Sequence, residues 1–364
     1  FFRNESRGQD PERSEGMTTN LENLSATLVS VLTAFEAGMR RLHPLAVPAI
    51  RGELAVYEPV LAAVRASLKT EDCNARSEED RQALLRACDF LLQAVKNFGR
   101  EEDLQDAFFS ALRASRRTCR AQEALFPLCR LFPAVHRYFS EPGADILPEP
   151  STGDSRVGLM HVGANSDLRA RGGYSLYIPS SPFLASARPL VVALHGGYGH
   201  GRDFIWTWIR EARSRGFVIC APTAQAMTWS IGRIDLDGKA LTQHLEEVCS
   251  RVPIDRNRIL LTGMSDGGTF ALALGLTREE GIFSKIAAVS CALPPVKINR
   301  PEEKHVLWIH GAQDWIFPVE RTVQASRYLQ QSGVDLKLKV IPDLSHAYPR
   351  ETNGTILKWF GIEG

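Results

Sequence analysis

Ile259-Leu260-Leu261-Thr262-Gly263-Met264-Ser265-Asp266-Gly267-Gly268-Thr269-Phe270-Ala271-Leu272-Ala273-Leu274 is the stretch from which the architecture of the chain can be read. It opens on a short apolar run of the length a buried strand uses and closes on an apolar stretch that suits a packed helix. Between them lies Gly-x-Ser-x-Gly-Gly, a turn too tight for side chains at the flanking positions, which holds the serine hydroxyl clear of its own backbone. The helix that begins just after it brings unpaired N–H groups and a positive dipole end, both useful to a developing oxyanion. Glycine and serine strings of this length also recur by chance. A nucleophilic Ser265 therefore requires a base, an acid and a second oxyanion donor elsewhere in the chain.

Outward from the serine turn, strands are predicted near Gly158–Val162, Tyr174–Ile178, Leu190–Leu194, Val218–Ala221, Ile259–Leu261, Ile286–Ser290, Val306–Ile309 and Leu336–Ile341, with helices between most of the later ones. Opening strands followed by strand and helix in alternation imply a mostly parallel eight-stranded sheet with helices on both faces. In such a sheet chemistry collects at the carboxyl ends of the strands, so the loops that follow them hold the candidates.

Three loops carry the right residue types. His195-Gly196-Gly197-Tyr198-Gly199-His200-Gly201 follows the third strand, and its glycines let backbone N–H groups approach a ligand closely. The N–H groups of Gly197 and of Asp266, directly after the serine, are the expected oxyanion donors. The run lacks the Lys-Ser/Thr ending of a phosphate loop and the spacing of a dinucleotide fingerprint. His310-Gly311-Ala312-Gln313-Asp314 offers Asp314 as the acid, and Pro342-Asp343-Leu344-Ser345-His346 offers His346 as the base. A serine hydroxyl is a poor nucleophile at neutral pH, so His346 removes its proton during attack, while Asp314 fixes the imidazole tautomer and stabilises imidazolium.

Other residues compete for these roles. Asp343 is the rival acid, but three residues before His346 on one loop it is better suited to bracing. His200 is an alternative base, and His195 and His310 are expected to brace their loops. The Asp266 carboxylate would oppose an oxyanion, so its side chain is expected to cap the following helix and point away. Tyr198, Trp229, Trp315 and Phe317 are the candidate walls of a substrate pocket, with core or rim packing as their alternative reading.

The amino-terminal part has a different texture. Apolar residues at Leu21, Leu24, Leu28, Leu32, Phe35, Met39 and Leu42 repeat at threes and fours, the period of one helical stripe closed by Pro44. A second stripe, Ile50 to Leu68, is interrupted by Pro59, which should kink or restart it. A third runs from Ser77 to a capping Gly99, a fourth from near Glu101 toward Pro127, and a short piece covers Val135 to Phe139. Residues 17–141 thus read as a small all-α helical bundle, residues 142–156 as a proline- and glycine-rich linker, and residues 157–364 as the catalytic domain. Residues 1–16 are polar, lack a signal-peptide core and read as a disordered extension, upstream of the protein proper or artificial in origin.

Composition excludes several classes. A chain of 364 residues, 44% hydrophobic and 23% charged, is an ordinary globular protein with room for two domains. A formal net charge of +1 leaves no field to attract nucleic acid, and no window reaches the roughly 18 uninterrupted apolar residues of a membrane span. Seven cysteines, odd in number and without a C-x-x-C pair, predict reduced thiols and a cytoplasmic location, with no metal and no cofactor. The helical domain is the expected route to any homo-oligomer.

From about Gly172 onward the chain resembles the α/β-hydrolase superfamily, and within it the phospholipase/carboxylesterase branch. Leu194-His195-Gly196-Gly197, the Ser265 turn, His310 to Asp314 and Ser345-His346 carry the likeness, with the family's Ser, acid, His order. The resemblance implies metal-independent hydrolysis of carboxylic esters through an acyl-enzyme, with a small-molecule ester as the expected partner. Two departures bear on the substrate: a helical domain comes first where the branch is normally a lone catalytic domain, and the Trp229 loop lacks the usual Trp-aromatic-Asp run. The short stretch Ala292–Glu303 leaves no room for a lid between the sixth and seventh strands, which predicts an open pocket and short-acyl esters. A serine exopeptidase of the same fold and an inactive hydrolase-fold binding module are the competing readings.

Overall fold

The computed structural model describes residues 11–70, 78–144, 157–180, 186–278 and 282–363, with the side chains of 11–20 left aside. Residues 1–10, Ser77 and most of the predicted linker lie outside that description. The chain divides into two compact units, one running through Ala37 and resuming over Val47–Tyr138, the other taking Gly38–Ala46 together with everything from Phe139 onward. The sequence reading placed residues 38–46 inside the bundle. Their backbone instead pairs with the loop that follows the last strand of the sheet, as described below.

The helical unit contains α1 (Pro11–Arg40), which begins before the Met17 start read from sequence and whose last residues enter the second unit. It continues with α2 (Val47–Ala55), α3 (Tyr57–Lys69), α4 (Glu78–Asn97), α5 (Leu104–Leu125) and α6 (Pro133–Tyr138). The predicted stripes are its core: Leu28, Leu32, Phe35, Leu61, Leu68, Leu84, Leu91 and Phe98 are buried, and Phe35 meets Phe98 edge-on at 5.9 Å. The second stripe restarts rather than kinks, because Pro59 falls in the first turn of α3, where its missing N–H would have had no helical partner anyway. Gly99 takes φ +54° after α4, and a Cβ there would lie 2.2 Å from the Val47 side chain. Asp103, rather than Glu101, starts α5, accepting hydrogen bonds from the N–H groups of Gln105 and Asp106.

The second unit is built on one sheet of β1 (Gly158–Val162), β2 (Tyr174–Ile178), β3 (Arg188–Leu194), β4 (Val218–Pro222), β5 (Ile254–Met264), β6 (Lys285–Val289), β7 (His305–Gly311) and β8 (Asp335–Ile341). Their order is β1-β2-β4-β3-β5-β6-β7-β8; β2 is antiparallel to both β1 and β4, and every later pairing is parallel. Between the strands run α7 (Gly201–Phe204), α8 (Ile209–Arg215), α9 (Asp235–Arg251), α10 (Asp266–Thr277) and α11 (Val319–Gln331), with α12 (Asn353–Phe360) after β8. Successive side chains of a strand point to opposite faces, so the consecutive burial of Leu190 to Leu194 means that both faces are covered there. This is the α/β-hydrolase arrangement expected from the motifs.

Register places the chemistry. Leu194 pairs with Gly263, Met264 with Val289, Val289 with Ile309 and Gly311 with Ile341. The carboxyl ends of β3, β5, β6, β7 and β8 therefore finish nearly level, and the loops after them rise from one edge of the sheet.

Candidate active site

Ser265 stands between β5 and α10 with φ +54° and ψ −123°, a conformation that a residue with a side chain adopts at a cost. Tyr198 at the end of β3 and Ser290 at the end of β6 also have positive φ, +57° and +43°. Of the four described non-glycine residues in this state, three thus lie on the loop edge of the sheet, where surrounding structure must hold them. The elbow is held by close backbone packing. A Cβ on Gly267 would lie 2.4 Å from the carbonyl oxygens of both Leu194 and His195, and one on Gly263 would lie 2.5 Å from the Gly267 backbone. The Ser265 N–H donates to the Val289 carbonyl at 3.0 Å, which ties the elbow to the neighbouring strand.

The loops that carry Asp314 and His346 meet because Gly311 has no side chain: a Cβ there would be 2.2 Å from the Leu344 carbonyl. The Gln313 N–H donates to that same carbonyl at 3.0 Å. His346 Nε2 lies 3.0 Å from Ser265 Oγ, and His346 Nδ1 lies 2.9 Å from Asp314 Oδ2. The other carboxylate oxygen, Oδ1, accepts the N–H groups of Ile316 at 3.0 Å and Phe317 at 2.8 Å. Burial by itself would raise the Asp314 pKa, but the hydrogen bond and charge of His346, the Phe317 N–H and nearby His310 outweigh it and leave it below the usual carboxylate range. Asp314 is thus kept ionised in a buried position. His310 is fully buried, its Nε2 lies 2.7 Å from the Phe317 carbonyl, and burial lowers its pKa; it braces the acid loop as expected.

The glycine loop after β3 is braced from beneath by His195, whose Nδ1 lies 2.6 Å from the Gly196 carbonyl and whose Nε2 accepts the Ala224 N–H at 3.1 Å. Within this loop the Tyr198 N–H donates to the Met227 carbonyl and the Gly199 N–H to the Gly196 carbonyl, whereas Gly197 N–H and Asp266 N–H make no such loop bonds among the described residues. A Cβ on Gly196 would be 3.5 Å from the Ser265 Cβ, which brings the loop directly over the elbow. His200 is buried and caps α7 by accepting the Arg202 N–H, a structural task rather than a base's.

Two expectations are corrected. Asp266 does not cap α10; it is the first residue of that helix, so its side chain leaves sideways, accepts a hydrogen bond from Thr228 Oγ1 and lies against Gly197. Trp229 does not wall a pocket. It is only 3% exposed, its indole N–H donates to the His195 carbonyl at 2.7 Å, and its ring lies between His195 and Phe270, with centroids at 5.0 and 5.2 Å. The reason lies one turn further on: Asp237 accepts the N–H groups of Gln225 and Ser230, pulling the 225–230 loop inward over the core.

Of the other predicted wall residues, Tyr198 is 63% and Trp315 39% exposed, while Phe317 sets its ring edge-on to His346 at 5.4 Å. Asp343, the rival acid, faces away and forms a two-point ion pair with Arg40. The sequence reading gave no role to Ser290, whose hydroxyl donates to the Ala347 carbonyl at 3.1 Å, one residue past His346. It named Ser345 only beside His346 and gave it no role of its own, whereas its hydroxyl donates to the Leu42 carbonyl at 2.8 Å. Neither bond has a local signal, since each partner is remote in sequence. No group of His, Cys, Asp and Glu that could hold a metal ion occurs among the described residues.

Residues 234–360, which run from the start of α9 through α12 and include Ser265, Asp314 and His346, match the family described as phospholipase/carboxylesterase. The match covers 127 of the 364 residues and is a likeness of that stretch to the family. Several solved structures are similar to part of the chain at low identity. A thermostable esterase is 18% identical with a TM-score of 0.44 over 52% of this chain, which spans 58% of that protein's length. The carboxylesterase of Bacillus cereus is 15% identical with a TM-score of 0.43, over 53% of this chain and 94% of its own. The acetyl xylan esterase of Aspergillus awamori is 15% identical with a TM-score of 0.45, over 56% of this chain and 99% of its own.

Proposed function

We propose that the protein is a serine carboxylesterase that hydrolyses short-acyl esters through an acyl-enzyme on Ser265. The observation that carries this reading is the unbroken hydrogen-bonded series from Ser265 Oγ through His346 to the buried Asp314, at 3.0 and 2.9 Å. His346, holding its Nδ1 proton toward Asp314, takes the Ser265 proton at Nε2 as Oγ attacks the ester carbonyl. The N–H groups of Gly197 and Asp266 receive the negative charge that develops on the carbonyl oxygen. The imidazolium then returns its proton to the departing alkoxide, which leaves as the alcohol. Water, deprotonated by the same histidine, attacks the acyl-enzyme and frees the acid and Ser265.

The connection between β6 and β7 is only residues 290–304, too short to fold over the site, and Tyr198 and Trp315 beside the site are open to solvent. Both features favour small acyl groups. No described helix is long and apolar enough to cross a membrane. Cys88, Cys119, Cys129, Cys220, Cys249 and Cys291 are all free thiols, in keeping with a reducing, cytoplasmic setting, while Cys73 lies outside the described residues.

The test is a panel of p-nitrophenyl esters from acetyl to long acyl, run on the full chain and on Ser265→Ala, with peptide amides alongside. The expected result is turnover of acetyl and butyryl esters only by the protein that retains Ser265, and covalent labelling of Ser265 by a fluorophosphonate. Preferred cleavage of peptide amides would replace the reading with a peptidase. Failure of Ser265 to label would remove the enzyme reading altogether.

A further inference from the structure

Resting on that reading, we propose that Arg40 and the carbonyl of Leu42, acting on Ser345, form a clamp that positions His346 for catalysis. The clamp belongs to Gly38–Ala46, the stretch that joins α1 to α2 in sequence and is part of the catalytic unit. General-base catalysis requires the imidazole to stay within hydrogen-bond reach of the serine, and a misplacement of about 1 Å can cost about a hundredfold in rate.

The loop after β8 has no regular structure of its own, so its position depends on what holds it. On one side it is tied within the hydrolase fold, by Asp314 to the His346 ring and by Ser290 to the Ala347 carbonyl. On the other side the ties come from residues about 300 positions earlier in the chain. Ser345, the residue immediately before the base, is buried; its N–H donates to the Arg40 carbonyl at 3.3 Å and its hydroxyl to the Leu42 carbonyl at 2.8 Å. Arg40 then straddles the loop. Its Nη1 and Nη2 donate to the two carboxylate oxygens of Asp343 at 2.7 and 3.0 Å, and its Nε donates to Glu351 Oε1 at 2.7 Å. One guanidinium thereby fixes points three residues before and five residues after His346, in the forked geometry that suits arginine and that lysine cannot copy.

The same stretch reaches the acid loop, where the His43 ring lies edge-on to Trp315 at 5.5 Å, one residue past Asp314. Both loops that must converge on Ser265 are therefore held by one segment. Ion pairs this exposed contribute little to folding stability, so the effect of breaking them falls on the placement of the imidazole.

The test uses full-length Arg40→Ala, Arg40→Lys, Asp343→Asn and Ser345→Ala with p-nitrophenyl acetate, together with the rate of fluorophosphonate labelling of Ser265. The expected result is a fall of about 10- to 100-fold in both kcat and labelling rate for Arg40→Ala and Ser345→Ala, with KM within about twofold of wild type. Arg40→Lys should recover part of the loss, and Arg40→Ala combined with Asp343→Asn should be no slower than Arg40→Ala alone. Folded variants with wild-type kcat and labelling, or a change confined to KM, would overturn the clamp. Should Arg40→Ala fail to fold, wild-type rates in Ser345→Ala and Asp343→Asn would overturn it equally. A wild-type protein that is silent toward the probe removes the esterase reading and the clamp with it, whereas labelled wild type matched by the variants removes the clamp alone.

Discussion

Replacing Asp314 by Asn should leave the fold nearly intact and remove almost all activity, because the hydrogen bonds around this carboxylate dictate how an amide must orient. Oδ1 accepts two backbone N–H groups, from Ile316 and Phe317, and an amide must keep its carbonyl oxygen there. Its NH2 group is then forced into the place of Oδ2 and becomes a donor facing His346 Nδ1. His346 can meet a donor only with a bare Nδ1, so its proton moves to Nε2, the nitrogen 3.0 Å from Ser265 Oγ. The imidazole then presents a hydrogen where it should accept one. The same tautomer fault costs about 10⁴-fold in kcat in a serine protease, or about 5.5 kcal/mol of transition-state stabilisation. Stability should move far less, because the turn around Asp314 keeps the oxygen that accepts both N–H groups. Asp314→Ala differs in that it takes away the shared acceptor of both N–H groups and should lower stability by about 1–3 kcal/mol as well. Steady-state hydrolysis of p-nitrophenyl acetate at pH 7.5, with thermal melts of both variants, measures the two effects. A kcat for Asp314→Asn within about tenfold of wild type would refute the assigned orientation of the triad.

Gly267→Ala places a methyl 2.4 Å from two backbone carbonyls of β3 and its following loop, which cannot give way, so expression as folded protein should be lost or the melt lowered by about 3 kcal/mol or more. Trp229→Ala removes a ring packed between His195 and Phe270 together with the indole N–H that donates to the His195 carbonyl; urea unfolding should show a loss of about 3–5 kcal/mol. His310 has a folded pKa below its ordinary 6.5, so the unfolded chain binds the extra proton, and its contribution is present above pH 6.5 and lost as pH falls below it. The melting temperature should therefore drop between pH 7 and 5, and His310→Gln should make that slope shallower; equal slopes for the two proteins would contradict it.

Much of the catalytic unit was legible in the sequence because its signals are local. All eight strands appeared where short apolar runs stand between polar or glycine-containing loops, and the Ser265 elbow announced itself through glycines that the packing on β3 makes obligatory. Two helix boundaries were also readable, at the Gly99 turn and at the Pro59 restart. What the sequence left open were choices among residues of one type. Asp314 and Asp343 are both loop carboxylates beside strand ends; only the close approach permitted by Gly311, and the capture of Asp343 by Arg40, separate them.

The same limit explains the two corrections. Whether an indole lines a pocket or plugs a core depends on which way its loop folds, and Asp237, remote from the ring, turns the Trp229 loop inward. Asp266 was expected to cap its own helix, but a first-turn side chain goes where the nearest donor lies, and that donor is Thr228 from another loop. The assignment of Gly38–Ala46 to the catalytic unit is the furthest case, since its partners stand about 300 residues away. Periodicity, turn chemistry and motif order are properties of neighbouring residues and survive in a one-dimensional reading. Which carboxylate meets His346, which aromatic is covered and which segment pairs with the loop after β8 are settled by contacts between remote segments, and these exist only once the sheet has brought its strand ends level.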